Sequence, residues 1–266
     1  MDVIPIVIPS ILLMLIGWKW KLPISFILVF WILATVLSQI LIHISEKIFV
    51  QILISSVTTV AILASILLIR FYRDPERRIP SSSNIILCPA DGIIRYIRFF
   101  GPDGTIEIEK NKSQIPMKDF IHGFLSFQSG LQIGIEMRIC DVHVNRSPIT
   151  GRIIKQEHQP GPFKSLRQLS GLLENERVVS LIQNEQCQCI MVQIASRLVR
   201  RIVSYQAEGE SVQIGDRIGM IRLGSQVDVI IPILKNLRQH VKEGEFVKAG
   251  ETVLATYDLT SKNDHE

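Results

Sequence analysis

The first 70 residues carry formal charges only at Asp2, Lys19, Lys21, Glu46, Lys47 and Arg70, whereas residues 71–266 have the mixed composition of a water-soluble domain. That division constrains the fold more than any other feature. A stretch so poor in charge cannot supply its own wet surface, so it belongs in lipid or against another apolar body. It contains three apolar runs, at 3–18, 22–44 and 48–69. The second and third are long enough to cross a hydrocarbon core of about 30 Å as helices. The first is shorter and holds Pro5 and Pro9. It lacks a basic leader and a small-x-small cleavage site, which argues against a signal peptide. Residues 1–70 therefore read as a membrane anchor of two or three transmembrane helices. Trp18 and Trp20 sit where an interfacial belt would lie. Lys19 and Lys21, then Arg70, Arg73, Arg77 and Arg78, favour a cytoplasmic location for the domain at 71–266. Arg73, Arg77 and Arg78, just past the last apolar run, read as headgroup contacts.

The remaining chain is ample for one core. The formal net charge of the whole chain, +4, is too small to indicate a nucleic-acid partner and suits a protein beside anionic lipid. Cys88, Cys140, Cys187 and Cys189 show no zinc-site spacing and read as reduced, buried thiols. No metal is expected. Short Ile/Val-rich runs at 85–87, 92–99, 105–109, 132–138, 151–156, 177–182, 189–194, 217–222 and 227–231 read as strands. The polar stretch from 101 reads as a surface excursion. Two internal echoes stand out. Glu208-Gly-Glu-Ser-Val-Gln-Ile-Gly-Asp216 recurs as Glu243-Gly-Glu-Phe-Val-Lys-Ala-Gly-Glu251, and Pro89-Ala-Asp-Gly-Ile-Ile94 recurs loosely as Pro148-Ile-Thr-Gly-Arg-Ile-Ile154. The expected fold is mostly β: a β-sandwich of quasi-repeats, like the barrel-sandwich hybrid of biotinyl and lipoyl carriers, behind N-terminal transmembrane helices.

Ser225 stands between two apolar runs after Gly224, and a glycine-serine pair there is ordinarily a turn. Asp91 in Asp91-Gly92 alone reads as a hairpin turn, and His143 between Val142 and Val144 alone reads as a solvent-facing strand residue. Together, a carboxylate, an imidazole and a hydroxyl are the parts of an activated nucleophile.

Seven motifs in order carry a more specific signal: Phe71-Tyr-Arg-Asp-Pro-Glu-Arg-Arg-Ile-Pro80, Pro89-Ala-Asp-Gly92, Asp141-Val-His-Val-Asn-Arg146 with Pro148 and Gly151, Glu174-Asn-Glu-Arg177, Arg200-Arg-Ile-Val203, Gly219-Met-Ile-Arg-Leu-Gly-Ser225 and Val247-Lys-Ala-Gly-Glu-Thr-Val-Leu-Ala255. From about residue 70 to residue 256 the chain resembles the short-form phosphatidylserine decarboxylase proenzymes, archaetidylserine decarboxylases included. The resemblance implies autocatalytic scission between Gly224 and Ser225. That divides the protein into a β chain, 1–224, and an α chain, 225–266, whose Ser225 becomes a covalent pyruvoyl group. It implies a membrane phospholipid substrate, a Schiff base between its serine amine and the pyruvoyl, and decarboxylation to the ethanolamine lipid. The two chains would remain a heterodimer, and a homodimer is plausible for the family. His143 is then the base and later the proton donor, with Asp91 orienting it, by the logic of the serine triad. Arg197, Arg200 and Arg201 are candidates for the lipid phosphate, since arginine pairs with phosphate through two donors. Long-form relatives carry a second histidine where this chain has Arg146, and Gln226 stands where a smaller or basic residue is commoner. Two competing readings are a non-enzymatic adaptor with a carrier-like sandwich, which would need a heptad hairpin not visible in 155–190, and an uncleaved, inactive member of the family.

Overall fold

The computed structural model describes residues 7, 10–11, 13–15, 24–42, 47–82, 84–108, 113–121, 123–124, 126–162, 164–166, 169–196, 202–222 and 225–259. The chain divides into two compact units, Met1–Tyr72 and Arg73–Glu266.

In the first unit, helix α1 (Ile24–Ile42) packs against helix α2 (Ile48–Tyr72). The Thr59 hydroxyl donates to the Ser55 carbonyl at 2.8 Å, so this polar side chain in α2 is satisfied along the helix's own backbone. α2 ends before Asp74-Pro75, where the proline ring disfavours helical geometry in the preceding residue. Among the described residues, α2 is the one helix long and apolar enough to cross a membrane. α2 matches the third expected span; the apolar helix in the second stretch falls short by that test, and the first stretch lies largely outside the described residues.

The second unit is β-rich. Its strands are β1 (Ile85–Leu87), β2 (Gly92–Phe100), β3 (Thr105–Ile108), β4 (Ser113–Pro116), β5 (Gly130–Met137), β6 (Val144–Arg146), β7 (Gly151–Gln159), β8 (Arg177–Gln183), β9 (Gln188–Ala195), β10 (Ile202–Ser204), β11 (Ser211–Val212), β12 (Arg217–Ile221), β13 (Ser225–Pro232), β14 (Arg238–Gln239), β15 (Phe246–Val247) and β16 (Val253–Thr256). Short helices α3 (Met117–Phe120) and α4 (Leu169–Glu174) interrupt them. All nine runs expected from the sequence are strands. The scaffold is an eight-stranded antiparallel sheet ordered β11-β7-β8-β9-β13-β5-β2-β15, with small sheets β1-β16-β14, β10-β12-β6 and β3-β4.

β13 lies inside the large sheet, bonded to β5 on one side and β9 on the other. Its side chains alternate between two apolar clusters. Val227, Val229 and Ile231 join Ile94, Ile133, Ile135, Val178 and Ile182 on one face. Ile230 joins Phe100, Val179, Ile190 and Val192 on the other. The second face is roofed by Ile106, Met117, Phe120 and Ile121, all at most 1 % exposed. The stretch from 101 is therefore a lid on the core, in contrast to the surface excursion expected from its polarity. Among its described side chains, Ile106 and Met117 are buried in the core.

The sequence echoes pair with each other. Val212 opposes Gly151 and Val247 opposes Gly92. Gly209 N–H donates to the Ile153 carbonyl, and Gly244 N–H to the Ile94 carbonyl, each at 2.8 Å. The expected β-rich class is matched, as one curled eight-stranded sheet with three small ones; the sandwich of quasi-repeats is not borne out. Over 155–190 the described residues include the end of β7, α4, β8 and the start of β9, with no long helical hairpin among them.

Candidate active site

Ser225 is the first residue of β13. It sits in register with Met137, the last residue of β5, and with Ala195, the last residue of β9. Upstream, Ile221 ends β12 and pairs with Ile202 at the start of β10. In the chain, 196–201 join β9 to β10 and 222–224 join β12 to β13. Gly224 and the three arginines Arg197, Arg200 and Arg201 lie outside the described residues.

The histidine motif is fastened to the same place. Ile221 N–H donates to the His143 carbonyl at 3.3 Å. Asn145 contacts Met137 Sδ through Nδ2 at 3.8 Å, and Gln193 Nε2 donates to Asn145 Oδ1 at 2.8 Å. The motif is thereby tied to both strands that flank Ser225. His143 itself is fully buried. Its Nδ1 lies 2.8 Å from the Asp141 carbonyl, which can only accept, so Nδ1 carries the hydrogen and the basic lone pair is on Nε2. Burial pushes the imidazole down to about 4, against a smaller opposing pull from the Asp141 carbonyl and carboxylate. At neutral pH the ring is therefore unprotonated, with its lone pair on Nε2. The Asp141 carboxylate holds the turn that presents this carbonyl: it accepts from Arg138 N at 2.8 Å and from the Arg138 guanidinium at 3.0 Å on each oxygen.

Asp91 sits elsewhere in the hydrogen-bond network. Its two oxygens accept from Arg77 Nη2 at 3.0 and 2.8 Å, and Oδ1 also accepts from Ala249 N–H at 2.7 Å. The expected Asp91–His143 pairing is replaced at Nδ1 by the main-chain carbonyl of Asp141. The Asp91 loop still borders the histidine motif, because Arg146 N–H donates to the Pro89 carbonyl at 2.9 Å. Arg77 is only 6 % exposed, so it is a buried clamp rather than the headgroup contact read from its position after the apolar run. Arg146 reaches Asp74 Oδ1 at 3.0 Å, the Pro75 carbonyl at 3.2 Å and the Gly215 carbonyl at 2.9 Å. Arg217 bonds Asp74 and Glu76. Residues 74–77 are thus strapped across the histidine and aspartate loops by ion pairs, most of them buried or half-buried.

A family profile described as phosphatidylserine decarboxylase matches residues 64–255, a span that takes in every one of these loops. This chain belongs to the phosphatidylserine decarboxylase family. It is 41 % identical over 196 residues to a provisionally named archaetidylserine decarboxylase proenzyme of Methanothermobacter thermautotrophicus, covering 73 % of this chain and 82 % of that one. It is 38 % identical over 194 residues to a phosphatidylserine decarboxylase proenzyme of Azorhizobium caulinodans, covering 73 % and 75 %. A third relative, from Methanocaldococcus jannaschii and also provisionally named an archaetidylserine decarboxylase proenzyme, is 42 % identical over 187 residues, covering 70 % and 87 %.

In this family member the Glu174-Asn-Glu-Arg177 motif closes the other side of the site. Asn175 Nδ2 donates to the Ala195 carbonyl at 2.9 Å, and Ala195 N–H donates to the Glu176 carbonyl at 2.9 Å, fixing the residue beside Ser225. Arg177, 1 % exposed, gathers the Phe120 and Leu172 carbonyls at 2.8 and 2.6 Å, tying α3 and α4 together. Sequence reasoning assigned no separate role to Asp141, Asn145 or Asn175. Their place inside the family-like motifs was the available signal; the Asn145–Gln193 and Asn175–Ala195 contacts join residues distant along the chain, whereas the partners of Asp141 are local.

Proposed function

We propose that this protein decarboxylates the serine headgroup of phosphatidylserine, or of its archaeal ether counterpart archaetidylserine, after cutting its own backbone between Gly224 and Ser225. One observation carries the reading: residue 225 opens the interior strand β13 beside Met137 and Ala195, and the His143 motif is hydrogen-bonded to both of those strands. A buried neutral imidazole at that point fits the task of taking the serine proton.

Ser225 Oγ adds to the Gly224 carbonyl carbon while its proton passes to His143 Nε2. The peptide C–N bond breaks, the nitrogen takes a proton, and an ester links the chains. Loss of the residue-225 α-hydrogen expels the Gly224 carboxylate and leaves dehydroalanine. Water then replaces the nitrogen as ammonia departs, leaving a keto group on residue 225. That pyruvoyl supplies an electron sink for loss of carbon dioxide from the bound serine headgroup. The chain's own residues do the rest. His143 holds and returns a proton, the Asp141 carbonyl fixes its tautomer, and the Arg77–Asp91 clamp keeps the loop at 88–91 against Ala249. Arg197, Arg200 and Arg201 fall in sequence between Ala195 and Ile202, and we assign them to the lipid phosphate.

The strand order supports the two products, 1–224 and 225–266, remaining together. β13 runs between β5 and β9, β15 pairs with β2, and β16 lies between β1 and β14, so the shorter chain is woven through two sheets. α2 serves as the membrane anchor, with the catalytic unit on the cytoplasmic side.

A mass spectrum of the purified protein tests the reading. Two masses are expected, the smaller lighter than a chain beginning with serine by the difference between serine and a pyruvoyl group, and Ser225→Ala should give one. A single uncut wild-type chain would identify an inactive member of the family. Assays with diacyl and ether lipids bearing the same serine headgroup then decide the tail.

A further inference from the structure

Immediately after Ser225 the chain enters a polar cluster sealed inside the sheet. Gln226 is 2 % exposed, Gln132 and Asp228 are fully buried, and Tyr96 is 5 % exposed. They come from three adjacent strands, β2, β5 and β13. Asp228 and Tyr96 both stand in register with Gly134, which lies between them on β5. A Cβ at Gly134 would come within 2.5 Å of the Tyr96 ring, so the missing side chain lets the ring lie across β5 and reach β13. The Arg98 guanidinium covers that ring at 3.7 Å from its centroid.

The hydrogens in this cluster all run one way. Gln226 Nε2 donates to Tyr96 Oη and to Asp228 Oδ1, both at 2.6 Å. Tyr96 Oη passes its single hydrogen to Asp228 Oδ2 at 2.7 Å, and Gln132 Nε2 donates to the same oxygen at 2.6 Å. Apolar residues of the same volume would serve stability as well or better, because burying a carboxylate costs several kcal/mol before its partners compensate. The cluster does something an apolar core would not: it fixes one side chain, that of Gln226, in direction as well as depth.

That residue has a particular standing in the proposed reaction. Before scission, residue 225 is tethered on both sides, through 222–224 to β12 and through β13 to the sheet. After scission it is a chain terminus on the last rung of a strand, the position most prone to fray. We propose that Tyr96, Gln132 and Asp228 are positioning residues that clamp Gln226 and so hold the residue-225 keto group in register for turnover once the backbone is cut. This rests on the scission proposed above. It assigns the cluster to the decarboxylation stage, with no part in self-processing.

Two variants test it: Tyr96→Phe, which keeps the ring over Gly134, and Gln226→Met, which keeps the volume and removes both donors. Each is made in the wild-type and the Ser225→Ala background. Scission is read by mass, local order by amide hydrogen exchange of residues 226–228, and turnover on phosphatidylserine in detergent micelles. Both variants are expected to cut fully and carry the carbonyl. Exchange at 226–228 should rise about tenfold in the cut protein and less than about twofold in the Ser225→Ala chain, where the tether persists. The value of kcat should fall about tenfold with KM within about twofold. Equal exchange in cut and uncut chains, or wild-type kcat in both variants, would overturn the inference while leaving the decarboxylase reading intact. Failure of both variants to cut would also overturn it, by moving the cluster into self-processing. An uncut wild type would remove the scission reading and this inference together.

Discussion

The Asp141 carbonyl accepts the Nδ1 hydrogen of His143 at 2.8 Å, and this bond selects Nε2 as the basic nitrogen at the Ser225 end of the large sheet. The carboxylate of the same residue makes the bond durable by locking the Arg138–Asp141 turn. One residue therefore serves twice, with its backbone toward His143 and its side chain toward the turn.

The pH dependence follows from the burial of His143. The folded protein holds this imidazole at about 4, below its ordinary value of 6.5. The neutral form is the one the fold accommodates. Its contribution is intact above pH 6.5 and drains away as pH falls from 6.5 toward 4, because the unfolded chain binds the proton first. The full loss is on the order of 3 kcal/mol. Urea unfolding of Ser225→Ala should show this slope, and His143→Gln should flatten it. Scission of freshly translated wild-type protein should be level from pH 8 to 6 and fall only near 4. A midpoint near 6.5 would contradict the buried, neutral base.

Asp141→Ala should slow scission without abolishing it, since the carbonyl that meets His143 survives but loses its support. Removing a buried acceptor of several hydrogen bonds costs about 2 kcal/mol in stability. A rate within twofold of wild type, by gel time course, would show that the turn holds its shape unaided.

Arg77→Ala leaves Asp91 buried with its charge partner gone, and a loss of about 3 kcal/mol is expected. Arg77→Lys should recover part of it, because lysine keeps the charge but not the planar fork. The double variant Arg77→Met with Asp91→Asn should be less damaged than Arg77→Ala alone. Thermal melts in the Ser225→Ala background separate these outcomes; equal melting points for all three would mean the ion pair contributes nothing.

Cysteine labelling offers a check on the core. Cys88, Cys187 and Cys189 are buried, and burial holds all three thiols up, Cys187 to about 12. Maleimide at pH 8 should label the half-buried Cys140 first and leave the other three unmodified until the protein is denatured. Labelling of all four at similar rates would mean that the large sheet opens readily.

The β-rich class, all nine expected strands and the family-like motifs at Asp91, His143 and Ser225 were legible in the sequence. The signals there are local: apolar alternation along the backbone, glycine punctuation, and residue order. The number of membrane-spanning helices was less legible, because length and apolarity alone do not separate a span from an apolar helix that stops short.

What the tertiary structure alone decided is which polar group meets which. Arg77 looked like a headgroup residue because it follows an apolar helix, yet it closes on Asp91 inside the domain. Asp91 looked like the orienting partner of His143, yet it bonds Ala249 N–H, far along the chain. The polar stretch from 101 looked like surface and became the roof of the second face, and Gln226 joined Tyr96 and Asp228 across a strand that had to be glycine at 134. Strand formation depends on neighbours two residues away, which a sequence displays directly. Satisfying a buried charge or amide depends on groups brought together only when the sheet curls, and no local pattern records that closure.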